Sequence, residues 1–186
     1  ASEIRLRSAT EAPIAILANP SVSFEMVNLP ENKILGFTFC GNAGRLQRIP
    51  LLVNSIEQYC KAGGKLPFIF AGGGVFAADL EELAAKYANV QYRGFVSASD
   101  AAQLNADYAW ALLPIEDEVT RYAFPSKSSS YVFSGAMIVA VCGDKTSVAH
   151  WVSDNRLGVI VKPDVDALCQ FFFQVEEGRF DSAGFD

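Results

Sequence analysis

The sequence has little of what metal and nucleophile chemistry needs. It holds one histidine, His150, and four cysteines, Cys40, Cys60, Cys142 and Cys169, with no Cys-x-x-Cys pair. One imidazole and four scattered thiols do not make a usual zinc set, so no metal site is expected. Cys40 and Cys142 lie in apolar runs, where a thiol behaves as a small hydrophobe, and reduced core thiols of a cytosolic protein are expected. No apolar run reaches the ~18 residues of a membrane-spanning helix. The first residues lack the basic, apolar and Ala-x-Ala sequence of a signal peptide. The chain opens Ala1-Ser2 without an initiator Met, as expected for a piece of a longer protein. A basic stripe is also lacking: 15 basic residues face 21 acidic ones and are scattered, so no nucleic-acid partner is expected.

What is present is apolar. Hydrophobic residues make up 51% and charged residues 19%, which excludes a disordered chain. A chain of 186 residues is about one domain and buries roughly 70% of its extended-chain surface, enough for a core without staples.

From residue 33 onward, strand and helix patterns alternate. Lys33–Gly41 is a short apolar, aromatic-rich run ending in glycine, a buried-strand signal. Ile49, Leu51, Leu52, Ile56 and Tyr59 then fall broadly on one helical face, which the Ala-Gly-Gly of 62–64 ends. The unit recurs as the strands Leu66–Ala71, Val90–Phe95, Ala109–Pro114, Met137–Cys142 and Gly158–Val161. Helices are expected over Asp79–Tyr87, from Ser97 onward, and over Ser126–Ser134, Ser147–Ser153 and Asp164–Glu177. Most of the strands are continuously apolar, as when helices cover both faces of a parallel sheet. The fold expected is therefore α/β, a doubly wound Rossmann-like parallel sheet of about six strands with helices on both faces. Residues 1–32 are broken by Pro13, Pro20 and Pro30, with Ile14–Leu17 the one strand candidate, and read as a linker or edge segment of something larger. The domain is expected over 33–178, with 179–186 a frayed tail.

In such sheets ligands bind beyond the carboxyl ends of the strands. Three post-strand segments stand out. Gly41-Asn-Ala-Gly44-Arg45 combines two glycines with a cation whose planar fork suits phosphate. It contains neither Gly-x4-Gly-Lys nor Gly-x-Gly-x-x-Gly, and it also reads as a plain strand-to-helix turn. Gly72-Gly-Gly74 exceeds what a tight turn needs, so it is either a close-approach point for a ligand or a flexible turn. In Phe124-Pro-Ser-Lys127, Lys127 opposes the dipole of the helix it opens, which makes sense with an anion beside it, or else it is a solvated surface lysine. The cluster Glu116-Asp-Glu118 reads as a solvated loop or a sugar-binding rim. His150 reads as structural, since no Ser–His–Asp or Cys–His constellation surrounds it. Phe171–Phe173 reads as part of a packed closing helix.

The order of these features is Gly-Asn-x-Gly-Arg, Gly-Gly-Gly, Arg-Gly-Phe, Leu-Pro-Ile, Pro-Ser-Lys, then Tyr-x-x-x-Gly. It resembles the C-terminal, donor-binding half of GT-B glycosyltransferases, most of all the retaining family 4 group of bacterial surface polysaccharide synthesis. The resemblance covers about residues 33–170 and is most specific over Phe124–Gly135. It implies that Gly41, Asn42, Gly44 and Arg45, with Ser126 and Lys127, meet the diphosphate of a nucleoside-diphosphate sugar. It implies that Gly94, Phe95 and Val96 flank the nucleobase, with Ser130 near the ribose. Many members carry a Glu-x7-Glu pair here; this sequence has Tyr122 and Ser130 at those places. The resemblance further implies sugar transfer with retention and no cofactor. The glycan or lipid-linked acceptor and the catalytic histidine would belong to a separate N-terminal half. This piece would then bind donor without transferring sugar alone. The location implied is cytoplasmic, peripheral to the inner membrane for the full-length protein. A non-catalytic Rossmann-like interaction module is the alternative. A nicotinamide oxidoreductase fits poorly without the dinucleotide fingerprint.

Overall fold

Residues 27–180 are described by the computed structural model; the Ile14–Leu17 run and residues 181–186 lie outside that range. The strands are β1 (Ile34–Cys40), β2 (Phe68–Ala71), β3 (Val90–Tyr92), β4 (Tyr108–Pro114), β5 (Met137–Val141) and β6 (Gly158–Val161). The helices are α1 (Ile49–Lys61), α2 (Ala77–Lys86), α3 (Ala98–Asp107), α4 (Lys127–Phe133), α5 (Ser147–Asp154) and α6 (Val165–Glu176). A 3₁₀ turn, Val119–Arg121, had no sequence signal. The other elements fall within a few residues of the sequence expectation. β2 starts at Phe68, two residues late, because Pro67 has no N–H to give; its carbonyl instead accepts from Phe37 N at 2.9 Å. Three helices start on side-chain caps: Ser97 Oγ accepts from Asp100 N, Thr146 Oγ1 from Ala149 N and Asp164 Oδ1 from Ala167 N.

All strand pairs are parallel, in the order β3-β2-β1-β4-β5-β6. The expected doubly wound sheet is therefore present. The chain builds outward from β1 to β3, then returns to β1's other side with β4. Between the carboxyl ends of β1 and β4 the winding reverses, which opens the crevice where such folds take ligands.

Alternate residues of β4, β5 and β6 enter two cores, while β1, β2 and β3 feed the first alone. On one face Phe37, Phe68, Trp110 and Phe172 pack with Tyr59 of α1, with the Phe37 and Phe68 rings stacked at 5.0 Å. Phe171 and Phe172 of α6 are both buried there, so the triple-phenylalanine run is core. Phe180 also leans on Phe171 at 5.1 Å. On the other face the core is aliphatic: Ala111, Leu113, Ile138, Ala140 and Val148 surround the buried ring of Tyr131. At the amino end of the sheet, Lys33 Nζ donates to the carbonyls of Ala106 (2.6 Å) and Ser134 (2.8 Å). Those carbonyls close α3 and α4, so one cation satisfies two helix ends whose dipoles favour positive charge.

Candidate functional site

At the opposite, carboxyl end of the sheet the loops after β1, β2 and β3 interlock. Gly41 N donates to Ala71 O (2.8 Å), Ala43 N to Gly73 O (2.7 Å) and Gly72 N to Gly94 O (2.6 Å). Gly72, at φ +120°, lies so close to the Gly41 carbonyl that no side chain fits between them. A side chain at Gly73 would collide with the Phe95 ring, and one at Gly74 with the Ala43 backbone. The triple glycine is thus accounted for by loops pressed on one another and on an aromatic ring. The cleft above them has a volume of about 460 Å³ and a largely apolar lining that includes Gly41, Asn42, Gly72, Gly73, Phe95 and Val96. Phe95 is 89% exposed, an aromatic face offered to the cleft.

Lys127 reaches this corner from the second half of the fold. Its Nζ lies 3.7 Å from the centroid of the Phe39 ring, and a β-carbon on Gly41 would stand 3.1 Å from that nitrogen. The amine is buried and has no hydrogen-bond partner among the described residues. Burial lowers its pKa to about 7, partly countered by Cys40. Burial pushes the Cys40 thiol up to about 12, partly countered by Lys127, so that wall of the site is uncharged. An orphaned amine beside a glycine loop at the switch point suits an arriving anion.

Arg48, which the sequence did not single out, fastens the crevice from behind. It precedes α1 in a left-handed conformation, φ 44° and ψ 35°. Its guanidinium donates to Ile115 O (2.8 Å) and Asp117 Oδ1 (2.9 Å) and pairs with Glu116 Oε2 at 3.0 Å. Asp117 Oδ1 also accepts from Gly143 N at 2.9 Å. One ion pair therefore ties the loops after β1, β4 and β5. The Glu116–Glu118 cluster is largely committed: Glu116 and Asp117 hold Arg48, and Glu118 pairs with Arg121 at 3.2 Å. The one sequence signal for Arg48 is an arginine where a helix usually begins on Ser, Thr, Asp or Asn.

The sequence-selected residues separate into two groups. Gly41, Asn42, Phe95 and Val96 line the cleft. Gly94 supports it through the bond its carbonyl accepts, and Lys127 borders it at Gly41. Gly44 is buried in the same loop, its N–H donating to Gln47 Oε1 at 3.1 Å. Arg45 follows it, exposed and without an ion pair to any described residue. Ser126 is exposed at the head of α4 and Ser130 half-buried within it; neither lines the cleft. Tyr122 is 67% exposed and His150 is exposed. No group of three or more potential metal ligands occurs among the described residues. No helix among them is long and apolar enough to cross a membrane.

This sheet order and crevice define a Rossmann-like α/β domain, and the solved structures it superposes on include GT-B glycosyltransferases. The galactosyltransferase WaaB of the lipopolysaccharide outer core superposes with a TM-score of 0.65 at 19% identity, over 97% of this chain and 51% of WaaB. TarM of S. aureus gives a TM-score of 0.62 at 16% identity, over 91% of this chain and 35% of TarM; its structure contains UDP. The C-terminal domain of LpcC, a group 1 family glycosyl transferase of Francisella tularensis, gives 0.62 at 10% identity, over 82% of this chain and 87% of that domain. The likeness is of fold. The chain spans about half of WaaB and about a third of TarM, but most of the isolated LpcC domain. No known family profile and no curated protein matches the sequence.

Proposed function

We propose that this chain is the donor-binding half of a retaining glycosyltransferase, and that its cleft takes the nucleoside-diphosphate part of a nucleotide sugar. The observation that carries this reading is the buried, unpartnered Lys127 amine beside Gly41 at the switch point of a glycosyltransferase-like fold. UDP in the TarM structure, and UDP with GlcNAc in the pneumococcal GtfA structure, support the ligand class. In this reading the base stacks on Phe95 and runs along Gly94 and Val96. The diphosphate crosses the Gly41–Gly44 loop between Arg45 and Lys127, close to Ser126. Ser130, half-buried within α4 and outside the cleft lining, leaves the ribose without the carboxylate that many family members place there. During transfer the leaving diphosphate gains charge, and the two cations stabilise it electrostatically. The acceptor and the remaining catalytic groups come from a second, N-terminal half, so this chain binds donor but turns none over. The location is cytoplasmic, at the membrane surface in the full-length enzyme.

Isothermal titration with UDP, GDP, dTDP and ADP tests this. Saturable binding of at least one, weakened in Lys127→Ala, supports it. Flat heats with folded protein for all four overturn it in favour of a non-catalytic interaction module, the reading that Tyr122 and Ser130 in place of carboxylates also favour.

A further inference from the structure

Lys127 is unusual for what surrounds its nitrogen. Toward β1 it meets the Phe39 ring, the Cys40 residue and the Gly41 backbone. Cys40 is its one titratable neighbour on that strand, and burial keeps that thiol protonated. On α4 the nearby ionisable group is Tyr131, whose buried hydroxyl donates to Leu112 O at 3.0 Å and is held protonated by burial. From the loop after β4, Glu116 and Asp117 are taken by Arg48. No carboxylate among the described residues pairs with Lys127, and one ring face supports only one side of an ammonium that has three N–H donors. A charge in this setting has neither water nor counter-ion.

We propose that Lys127, beside the empty cleft, stands largely as a neutral amine above neutral pH and takes up a proton from solution when a phosphate chain arrives, so that the site selects ligands by the negative charge they bring. This rests on the donor-binding reading above and adds the charge state of its central residue. The proton balance is simple: solvent gives one proton to Nζ, the –NH₂ becomes –NH₃⁺, and the ligand keeps its own charge. A nucleoside without phosphate supplies no counter-charge, leaves the amine neutral and draws no proton.

The test is titration of the 186-residue chain with UDP, GDP, dTDP and ADP at about pH 8, in buffers of different ionisation enthalpy. At that pH the terminal phosphate, with a second pKa of about 6, is fully ionised and does not contribute. With the lysine midpoint at about 7, binding takes up more than about half a proton per site, and the uptake vanishes in Lys127→Met. Measurable binding with an uptake under about 0.2 proton overturns the proposal and leaves the donor reading standing. A second measurement is free of ligand: NMR titration of the Lys127 side chain, assigned by its loss in Lys127→Met. A midpoint near 7 supports the proposal, and one above about 9 overturns it whether or not nucleotide binds. Failure of all four nucleotides to bind overturns the donor reading and the proton uptake together.

Discussion

The two ends of the sheet each withdraw one lysine from water, and they use it in opposite ways. At the amino end Lys33 is met by the Ala106 and Ser134 carbonyls, both at helix ends that need a donor. Burial lowers its pKa while Asp107 works the other way, and the amine is occupied. At the carboxyl end Lys127 is more deeply buried and has no acceptor among the described residues. Burial alone would rank both as structural lysines. Counting partners separates them: the first holds the fold together, and the second is a cost to it that a ligand removes.

The sharpest way to break this contrast is to remove each amine and compare affinity with stability. Lys127→Ala is expected to lose a charge-assisted contact of about 1.5–3 kcal/mol, which is roughly 10- to 150-fold in nucleotide Kd. Its melting temperature should not fall, because no partner is orphaned. Lys33→Met should do the reverse. Two buried carbonyls lose their donor, at a cost of about 1–3 kcal/mol in denaturant unfolding, with nucleotide Kd unchanged. If both variants lost stability alone, the two ends would be equivalent and the contrast gone.

The pH dependence sharpens the difference further. The Lys127 amine has a folded pKa of about 7, below its unfolded value of 10.5. Between those values the unfolded chain binds more protons, so stability rises with pH across that window. Lys127→Met should flatten that rise, read as Tm against pH, and should gain most over the parent near and below pH 7. Gly41→Ala probes the same corner from β1. Gly41 sits at φ +139° with the Lys127 amine against it, so an added methyl is strained and pushes the amine away. Weaker nucleotide binding and a lower Tm together are expected. The smallest effect is assigned to Phe95→Ala. Loss of an aromatic face of about 0.5–1.5 kcal/mol gives a roughly 2- to 12-fold higher Kd, with Tm unaffected since the ring is already in solvent.

The sheet was legible in the sequence because parallel strands covered on both faces read as unbroken apolar runs. Met137–Val141 is such a case and was placed to within a residue. Lys127 was legible because a cation opening a helix runs against its dipole and asks for a reason. The Gly72–Gly74 turn was found but its cause was not, since the collision it avoids is with Gly41 and Phe95 on other loops. Arg48 was missed for the same reason. Its partners lie 67 and 69 positions away, and the one local signal, an arginine at a helix start, does not say which groups it meets. The acidic cluster, read as a solvated loop or a rim, proved to contain the anchor for that arginine. Local pattern carries backbone shape; which charges meet is fixed only when distant crossovers are brought side by side.

The edge-on contact between Phe124 and Trp151, 5.1 Å between ring centroids, lies just ahead of the Pro125-Ser126-Lys127 segment. An indole emits according to its surroundings, so the chain carries its own optical gauge of that segment. Trp110, sealed in the aromatic core, reports collapse of the whole domain, whereas Trp151 sees whatever shifts the approach to Lys127. Emission from a Trp110→Phe variant would follow ligand arrival without any added dye.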